Sequence, residues 1–446
     1  MKVAKLPWLT FILLAVAITL AAGCSRAGAP PTGGVPVGGT PPDGGTPLSR
    51  STGTPPPAAE PQRYSTRELE LASRSPQGMT LWEGKVIYSD VGFPSREVTT
   101  SRIVEHDLAT GRETVLIEAR PPHTGACVLH RSGDWLFYCE EGTGESGLTT
   151  QNPSGGFDYY ALNLRTGQSQ HLVMLQGGTC IGYPSGPDLS GSAFGDDGFA
   201  YIAANVSGGE CRDQLRLYDL ETGEDRLLLE AESADTDLDR PLLRGNKVIY
   251  HQAWRGEWPP DATPTPIPGR PGPWPPRYRI TGDIFSLDLE TGERVNLSNT
   301  GSASDPALWG DYLMWIDEPV RFTQEHGSGE VYILNIKTGQ RKRLTDDATY
   351  MHLYSSPLTG DGFFVWGDDH QVKVRLPVCF PETDEMVYLE GPGGGPTVID
   401  GWPDGNTLFW SWSDWSGVST RGPGRGLVDR EQVKDRPWRV YMTTFE

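Results

Sequence analysis

Residues 219–229 read DLETGEDRLLL, and residues 288–298 read DLETGERVNLS. The hexapeptide DLETGE stands twice, 69 residues apart, and it has three relatives. Asp107 opens DLATGRETVL, Asn163 opens NLRTGQSQHL and Asn335 opens NIKTGQRKRL. In all five, Thr and Gly stand at offsets three and four from the Asp or Asn, and Leu stands at offset nine. The starts are 56, 56, 69 and 47 residues apart, a spacing typical of arrays built from one repeated supersecondary unit.

The flanks explain the motif. Before each start lies a strand-like run: SRIVEH, FDYYAL, QLRLY, DIFSL or EVYIL. Four residues before the Asp or Asn the side chain is always apolar or aromatic: Ile103, Tyr159, Leu215, Ile284, Val331. After each Gly a short run ends in the offset-nine Leu. The pattern predicts two strands joined by a tight turn. Asp or Asn accepts hydrogen bonds from backbone N–H groups ahead of it, and Gly supplies the positive φ that closes the hairpin. Thr is expected to be extended beside it, and the Glu residues of DLETGE to be solvated turn charges.

A second feature precedes each hairpin: a Gly/Asp/Asn turn followed by an apolar, aromatic strand. It appears as EGKVIYSD (83–90), SGDWLFYCE (132–140), DDGFAYIAA (196–204), RGNKVIYHQ (244–252), WGDYLMWID (309–317), GDGFFVWGD (361–369) and DGNTLFWSW (404–412). Shorter strands such as GMTLW, ACVLH, RPLLR, DPALW and PTVID stand before most of them. The unit is therefore strand a, turn, strand b, loop, strand c, Asp-x-x-Thr-Gly turn, strand d. Seven b-strand signals predict an all-β, single β-propeller of seven four-stranded blades, with six blades as the alternative. In the sixth unit PETDE stands where the motif should, and the seventh ends at RPWRVYMTTFE with no d strand. RELELA (67–72) is expected to pair with WRVYMTTF and close the ring, which removes free sheet edges.

Tandem units of this form resemble the TolB-type (PD40, WD40-like) β-propellers, over about residues 64–446. The same propeller type caps prolyl oligopeptidases. There is no G-x-S-x-G nucleophile elbow in the chain, so peptidase activity is not expected. The resemblance implies a fold and leaves function open.

The N-terminus reads as an address. Lys2 and Lys5 precede an apolar run from Leu6 to Ala22, and Ala-Ala-Gly-Cys follows at 21–24. About 17 apolar residues is short for a spanning helix, which needs roughly 20. Small residues before a Cys resemble the lipobox of bacterial lipoproteins, which implies a signal peptide over 1–23 and lipidation of Cys24. Residues 24–63 are dominated by Gly, Pro, Thr, Ser and Ala, too poor in apolar surface to offset chain entropy, and read as a disordered tether. The expected location is the bacterial cell envelope, on the outer membrane or periplasmic side or the outer surface of the cytoplasmic membrane. A net charge of −20 argues against nucleic acid, since phosphate binding needs clustered Lys and Arg. No oligomeric state is legible. Beyond Cys24 the cysteines are Cys127, Cys139, Cys180, Cys211 and Cys379. Strand order places Cys127 opposite Cys139, and Cys180 and Cys211 in loops on one side. Disulfides Cys127–Cys139 and Cys180–Cys211 are expected, with Cys379 left over.

Strand order also sorts the connections. The a→b and c→d turns share one side, and the long d→a and b→c loops share the other. The loop side carries Trp254, Trp258 and Trp274 in a Pro-rich stretch (252–281), and Trp412 and Trp415 in 412–437. With His251, these are the candidate ligand-binding residues, because rigidly held aromatics suit stacking on sugars or docking of peptides. Trp135, Trp315, Trp366 and Trp410 lie in b strands and read as core. His123, His251, His326, His352 and His370 map to loop-side positions, without HxH or HxxxH spacing, and no metal site or cofactor is expected. The run SADTDLD, with Asp235, Asp237 and Asp239, lacks the Gly and distal Glu of a calcium loop and reads as a solvated d→a loop. The function that fits is a lipid-anchored platform binding a protein, peptide or glycan. The alternative is a carbohydrate-active lyase or hydrolase working in the funnel on the loop side. Cys24→Ala is expected to abolish labelling with a fatty-acid probe and to shift the protein from the membrane to the soluble fraction. Unchanged labelling would refute the lipidation.

Overall fold

The computed structural model describes residues 64–73, 76–92, 100–120, 125–141, 156–176, 192–194, 198–207, 210–256, 279–317, 328–345, 349–350, 357–370, 373–391, 397–414 and 439–446. Among them every regular element is a β-strand. No helix among them is long and apolar enough to cross a membrane. The chain begins with β1 (Tyr64–Leu69). An antiparallel meander follows: β2 (Pro76–Trp82), β3 (Lys85–Gly92), β4 (Thr100–Asp107) and β5 (Glu113–Glu118). The order recurs in β6 (Gly125–Ser132), β7 (Trp135–Glu141), β8 (Gly156–Asn163) and β9 (Ser169–Gln176). It recurs again in β10 (Ser192–Phe194), β11 (Gly198–Ser207), β12 (Glu210–Asp219) and β13 (Asp225–Glu230). Next come β14 (Thr236–Arg244), β15 (Lys247–Gly256), β16 (Arg279–Asp288) and β17 (Arg294–Asn296). Then follow β18 (Ala303–Trp309), β19 (Tyr312–Asp317), β20 (Ser328–Asn335) and β21 (Arg341–Arg343), with β22 (Thr349–Tyr350) added to β20. The sixth meander is β23 (Leu358–Gly360), β24 (Phe363–Val365), β26 (Lys373–Phe380) and β27 (Glu385–Glu390), with β25 (Asp368–His370) beside β26. Last are β28 (Thr397–Asp404), β29 (Thr407–Asp414) and β30 (Arg439–Phe445). β1 pairs antiparallel with β30 from Tyr64↔Phe445 to Leu69↔Val440, so the first strand supplies the fourth place in the last sheet. One parallel bridge, Ser101↔Gly125, joins the first two meanders.

The five Asp/Asn-x-x-Thr-Gly segments are hairpin turns with one shared geometry. Asp107 Oδ1 accepts from the N–H groups of Ala109 at 3.0 Å and Thr110 at 2.8 Å. Asn163, Asp219, Asp288 and Asn335 accept from the same two offsets. The Gly has φ of 70 to 73° in all five, a region that a Cβ disfavours. These donated hydrogen bonds hold the Asp107, Asp219 and Asp288 carboxyls below the usual range. Thr departs from the extended role expected of it. It sits inside the turn, where its Oγ1 accepts from the N–H two residues on, as Arg112 N to Thr110 Oγ1 at 3.3 Å. In the sixth meander Asp384 takes φ 58° in place of the missing Gly. The residue after the Asp or Asn then ties the turn to the a→b turn beside it. Leu164 N donates to Asp134 O at 2.8 Å, Leu289 N to Asn246 O at 2.7 Å and Ile336 N to Asp311 O at 2.7 Å. Both turns therefore lie on one side of each sheet, as strand order predicted.

The core sits between the sheets. All but one of the apolar clusters are shared by two meanders that follow each other in the chain. One joins Leu215, Leu238, Val248 and Tyr250, across the third and fourth. Another joins Met79, Val86 and Tyr88 to Phe409 and Val440, so the first meander also packs on the last sheet. The five residues four places before the motif are all 3 % exposed or less. Counted from the start of each second strand, the fourth residue is aromatic: Tyr88, Tyr138, Tyr201, Tyr250, Trp315, Trp410 and, directly after β24, Trp366. All are 3 % exposed or less. Four of them stack on an aromatic of the third strand: Tyr138 on Tyr160, Tyr250 on Phe285, Trp315 on Tyr332 and Trp410 on Tyr441. Stacked cross-strand pairs contribute about 0.5–1.5 kcal/mol each beyond the area they bury.

Polar ties cross the same seams. Asp404, at the end of β28, accepts from Thr80 Oγ1 and Leu81 N of β2, and its Oδ1 lies 2.8 Å from Arg131 Nη2 of β6. One carboxylate thus joins three meanders, with only 10 % of its side chain exposed. Asp404→Ala is expected to cost about 2–3 kcal/mol, because it strands the partly buried Arg131 and an amide donor. Asp404→Asn should cost less. Denaturant unfolding with an unchanged slope checks this, and a loss under about 0.5 kcal/mol, the scatter of neutral surface changes, would refute it.

Candidate functional site

Of the candidate ligand-binding residues, Trp258, Trp274 and Trp415 lie outside the described residues, as do His123, His326 and His352. So does Cys180, the expected partner of Cys211. The structure describes Trp254, Trp412 and His251, and all three are in strands. Trp412 is inside β29, 7 % exposed, with Gly391 against its ring. It belongs to the core between the sixth and last sheets, because β29 runs on to Asp414 where a loop was expected. Trp254 stands opposite Thr236 and meets the edge of Phe285 at 6.0 Å, two residues before β15 ends at Gly256. Cys127 and Cys139 are register partners in β6 and β7, as expected, yet no disulfide joins them in this structure. Register sets their proximity, whereas the S–S bond needs a separate oxidation. Cys379 is a buried thiol, and burial pushes it up to about 11, which makes it a poor nucleophile.

His251 is the point where the loop side becomes chemically dense. It lies in β15 opposite Asp239 of β14. Its Nε2 packs against Gly282, where any Cβ would collide with it, and it hydrogen-bonds the backbone of Ala303 in β18. Enclosure between two sheets drives the imidazole down to about 4, against the opposing pull of Asp305. Next to it, Arg240 Nη1 meets Asp305 Oδ1 at 2.6 Å and Arg240 Nε meets Asp239 Oδ2 at 3.5 Å. Arg240 and Asp305 occupy one structural position in neighbouring first strands. Each precedes a proline, each interrupts the register of its strand, and each has positive φ, 50° and 54°. RPLLRGN (240–246) and DPALWGD (305–311) carry this equivalence in the sequence, but nothing in either says that the two side chains face each other.

The acidic run 235–239 corrects the solvated-loop expectation. Thr236–Arg244 is strand β14, and Asp237 and Asp239 are partly buried within it. The reason is that β14 starts at Thr236, directly after a short turn at 232–235. Asp213 of β12, fully buried, accepts from Leu238 N at 3.1 Å and so secures the start of β14 to the preceding sheet. Asp283 of β16 does the equivalent one sheet on. Its Oδ1 accepts from Thr300 N and Gly301 N at 2.8 and 2.9 Å and from Ser298 Oγ at 2.8 Å. Burial opposes ionisation of Asp283, but these donors outweigh it and hold the carboxyl below its usual range. Sequence reading missed Asp213, Arg240 and Asp305, since each acts on a strand of another sheet, and Asp283, which holds the segment 298–301 leading into β18. No group of three or more His, Cys, Asp or Glu among the described residues has the geometry to hold a metal ion. A cleft of about 360 Å3 lies beside β1 and β30, lined by Glu68, Glu70, Arg439 and their neighbours and by none of this cluster.

No protein-family profile and no curated protein matches the chain. Solved structures do. The β-propeller domain of the Trilobed protease from Pyrococcus furiosus, which has an open velcro topology, superposes with a TM-score of 0.50 at 12 % identity. That match covers 78 % of this chain and 92 % of that domain. The chain folds as a β-propeller. A prolyl endopeptidase (12 % identity, TM-score 0.49) matches over 76 % of this chain and 45 % of its own. An oligogalacturonate lyase in complex with manganese (13 %, 0.43) matches over 71 % and 77 %. At 12 % identity the match to the Trilobed protease domain shows the fold alone, and no activity is carried over.

The depressed His251 gives the propeller an acid limit. An imidazole whose folded pKa lies below its unfolded value near 6.5 supports folding above about pH 6.5. That support drains away as pH falls towards about 4. His251→Gln is expected to flatten stability between about pH 6.5 and 4, while the wild type loses up to roughly 3 kcal/mol there. Equal slopes in urea titrations of the two proteins would exclude His251 as the cause.

Proposed function

We propose that the chain is a seven-bladed, TolB-type β-propeller closed by β1. On this reading a lipid on Cys24 and the tether to residue 63 hold it at the bacterial cell envelope. There it acts as a binding platform for a protein, peptide or glycan, through the loops opposite the Asp-x-x-Thr-Gly turns. Seven blades and closure are supported by the seven antiparallel meanders, by the pairing of β1 with β30 and by the apolar cluster shared between first and last sheets. In an oxidising envelope the register of Cys127 and Cys139 supports their pairing, and Cys180–Cys211 would be the second bond.

The observation that carries binding over catalysis is the state of the ionisable groups on the loop side. His251 is committed to Ala303, Arg240 to Asp305, and Asp213 and Asp283 to backbone N–H groups. Each is used to join sheets or, for Asp283, to hold the segment leading into β18, which leaves the described part of this side as scaffold for what the loops carry. β15 leads from Trp254, near the end of this inner strand, into 257–278, which holds Trp258, Trp274 and nine of the chain's 38 prolines. Aromatics in such connections supply contact area at low entropic cost.

The test compares the wild type with a variant in which residues 257–278 are replaced by a short Gly-Ser linker, on glycan arrays and in crosslinking to envelope fractions. Binding is expected to fall at least tenfold while the melting temperature holds within a few degrees. Chelator-sensitive depolymerisation of a polysaccharide by the wild type would instead establish the carbohydrate-active enzyme.

A further inference from the structure

We propose that Asp237 keeps a proton against the carboxylate of Asp213, and that the two form a latch between the third and fourth sheets that is tight when Asp237 is protonated and loosens as pH rises. The geometry leaves little alternative. Asp213 is fully buried, and its Oδ2 is already engaged by the amide of Leu238 at 3.1 Å. Asp237, one residue earlier on β14, turns its carboxyl onto that of Asp213 in hydrogen-bond contact. Its Oδ1 is sealed from solvent with no N–H or O–H directed at it. Two ionised carboxylates are both acceptors only, so a hydrogen bond between them requires that one keep a proton.

Arg255 favours ionisation of Asp237, but burial and the neighbouring carboxylates Asp213 and Asp239 outweigh it. From β14 itself come Asp239 and Arg240, from β15 His251 and Arg255, and from β18 Asp305. β10 and β11 contain no charged residue. Arg240 is held by Asp305 and Asp239, and Arg255 opposes the shift without cancelling it. Burial, reinforced by Asp213, raises the Asp237 carboxyl to about 9. The sign follows. A carboxyl that is raised on folding favours the folded state most below its unfolded value near 4. That contribution is lost progressively as pH climbs to about 9, by up to tenfold in the local equilibrium per pH unit. Leu238 is wholly buried in the apolar cluster between the two sheets, so a broken latch opens that seam first. The response is opposite to that of His251, which weakens the fold on the acid side.

Two measurements on the full-length protein test this. Infrared spectra at pH 7 should show a protonated carboxylic C=O band in the wild type that is missing from Asp237→Asn and Asp213→Asn, whose amides replace that proton. Amide exchange at Leu238, corrected for base catalysis, should then show wild-type opening that grows up to about tenfold per pH unit between pH 7 and 9, while both variants stay flat. A wild type without the band, or the same pH dependence in all three proteins, would overturn the latch. The infrared test on the wild type decides the matter even where a variant fails to fold.

Discussion

A side-chain oxygen accepting two backbone N–H groups is the constraint on which this architecture rests. In each motif the Asp or Asn organises the turn and Gly takes the positive φ, and in four of them the next residue ties the turn to its neighbour. That arrangement sets the register between third and fourth strands, and through the second tie it sets how the first hairpin of the sheet sits against the second. In a strand a one-residue slip would send every core side chain to the wrong face. The burial of Ile103, Tyr159, Leu215, Ile284 and Val331 at one common offset depends on that register.

Short antiparallel meanders cannot bury both faces alone. Here each does so against its neighbours in the chain, the first meander packing also on the last sheet. The aromatic in the second strand fills the space, and polar ties complete the seams. Arg341 lies over Trp315 and Tyr332 within one sheet, at 4.8 and 4.4 Å, whereas Asp404, Asp213 and Asp283 reach across or cap the strand that comes next. These buried carboxylates are tolerated because backbone donors surround them. Where the donors are too few, as at Asp237, the group holds a proton instead.

How legible each feature was depended on the distance over which its interactions act. The turns were readable because every group in them lies within five residues. Trp315, Trp366 and Trp410 were readable as core because alternation inside one strand sets their direction. Trp412 was not, since its place depends on how far β29 continues. The acidic run 235–239 resembled a loop on composition, yet Asp213 from another sheet recruits it into β14. The shared Pro-x-Leu-x-Gly pattern after Arg240 and Asp305 was visible in the chain, although their 2.6 Å pairing was not.

The amino-acid sequence alone determined the repeat, the turn chemistry, the strand order within a unit and the side on which each turn falls. All of these follow from local backbone preferences and from a period of two. Only the tertiary structure decided which charges meet. Arg240 with Asp305, Asp213 with Asp237, and His251 against Gly282 each join residues on different strands, most of them on different sheets. Their distances follow from how one sheet packs on the next, and that packing responds to the shape of whole faces rather than to the spacing of residues along the chain.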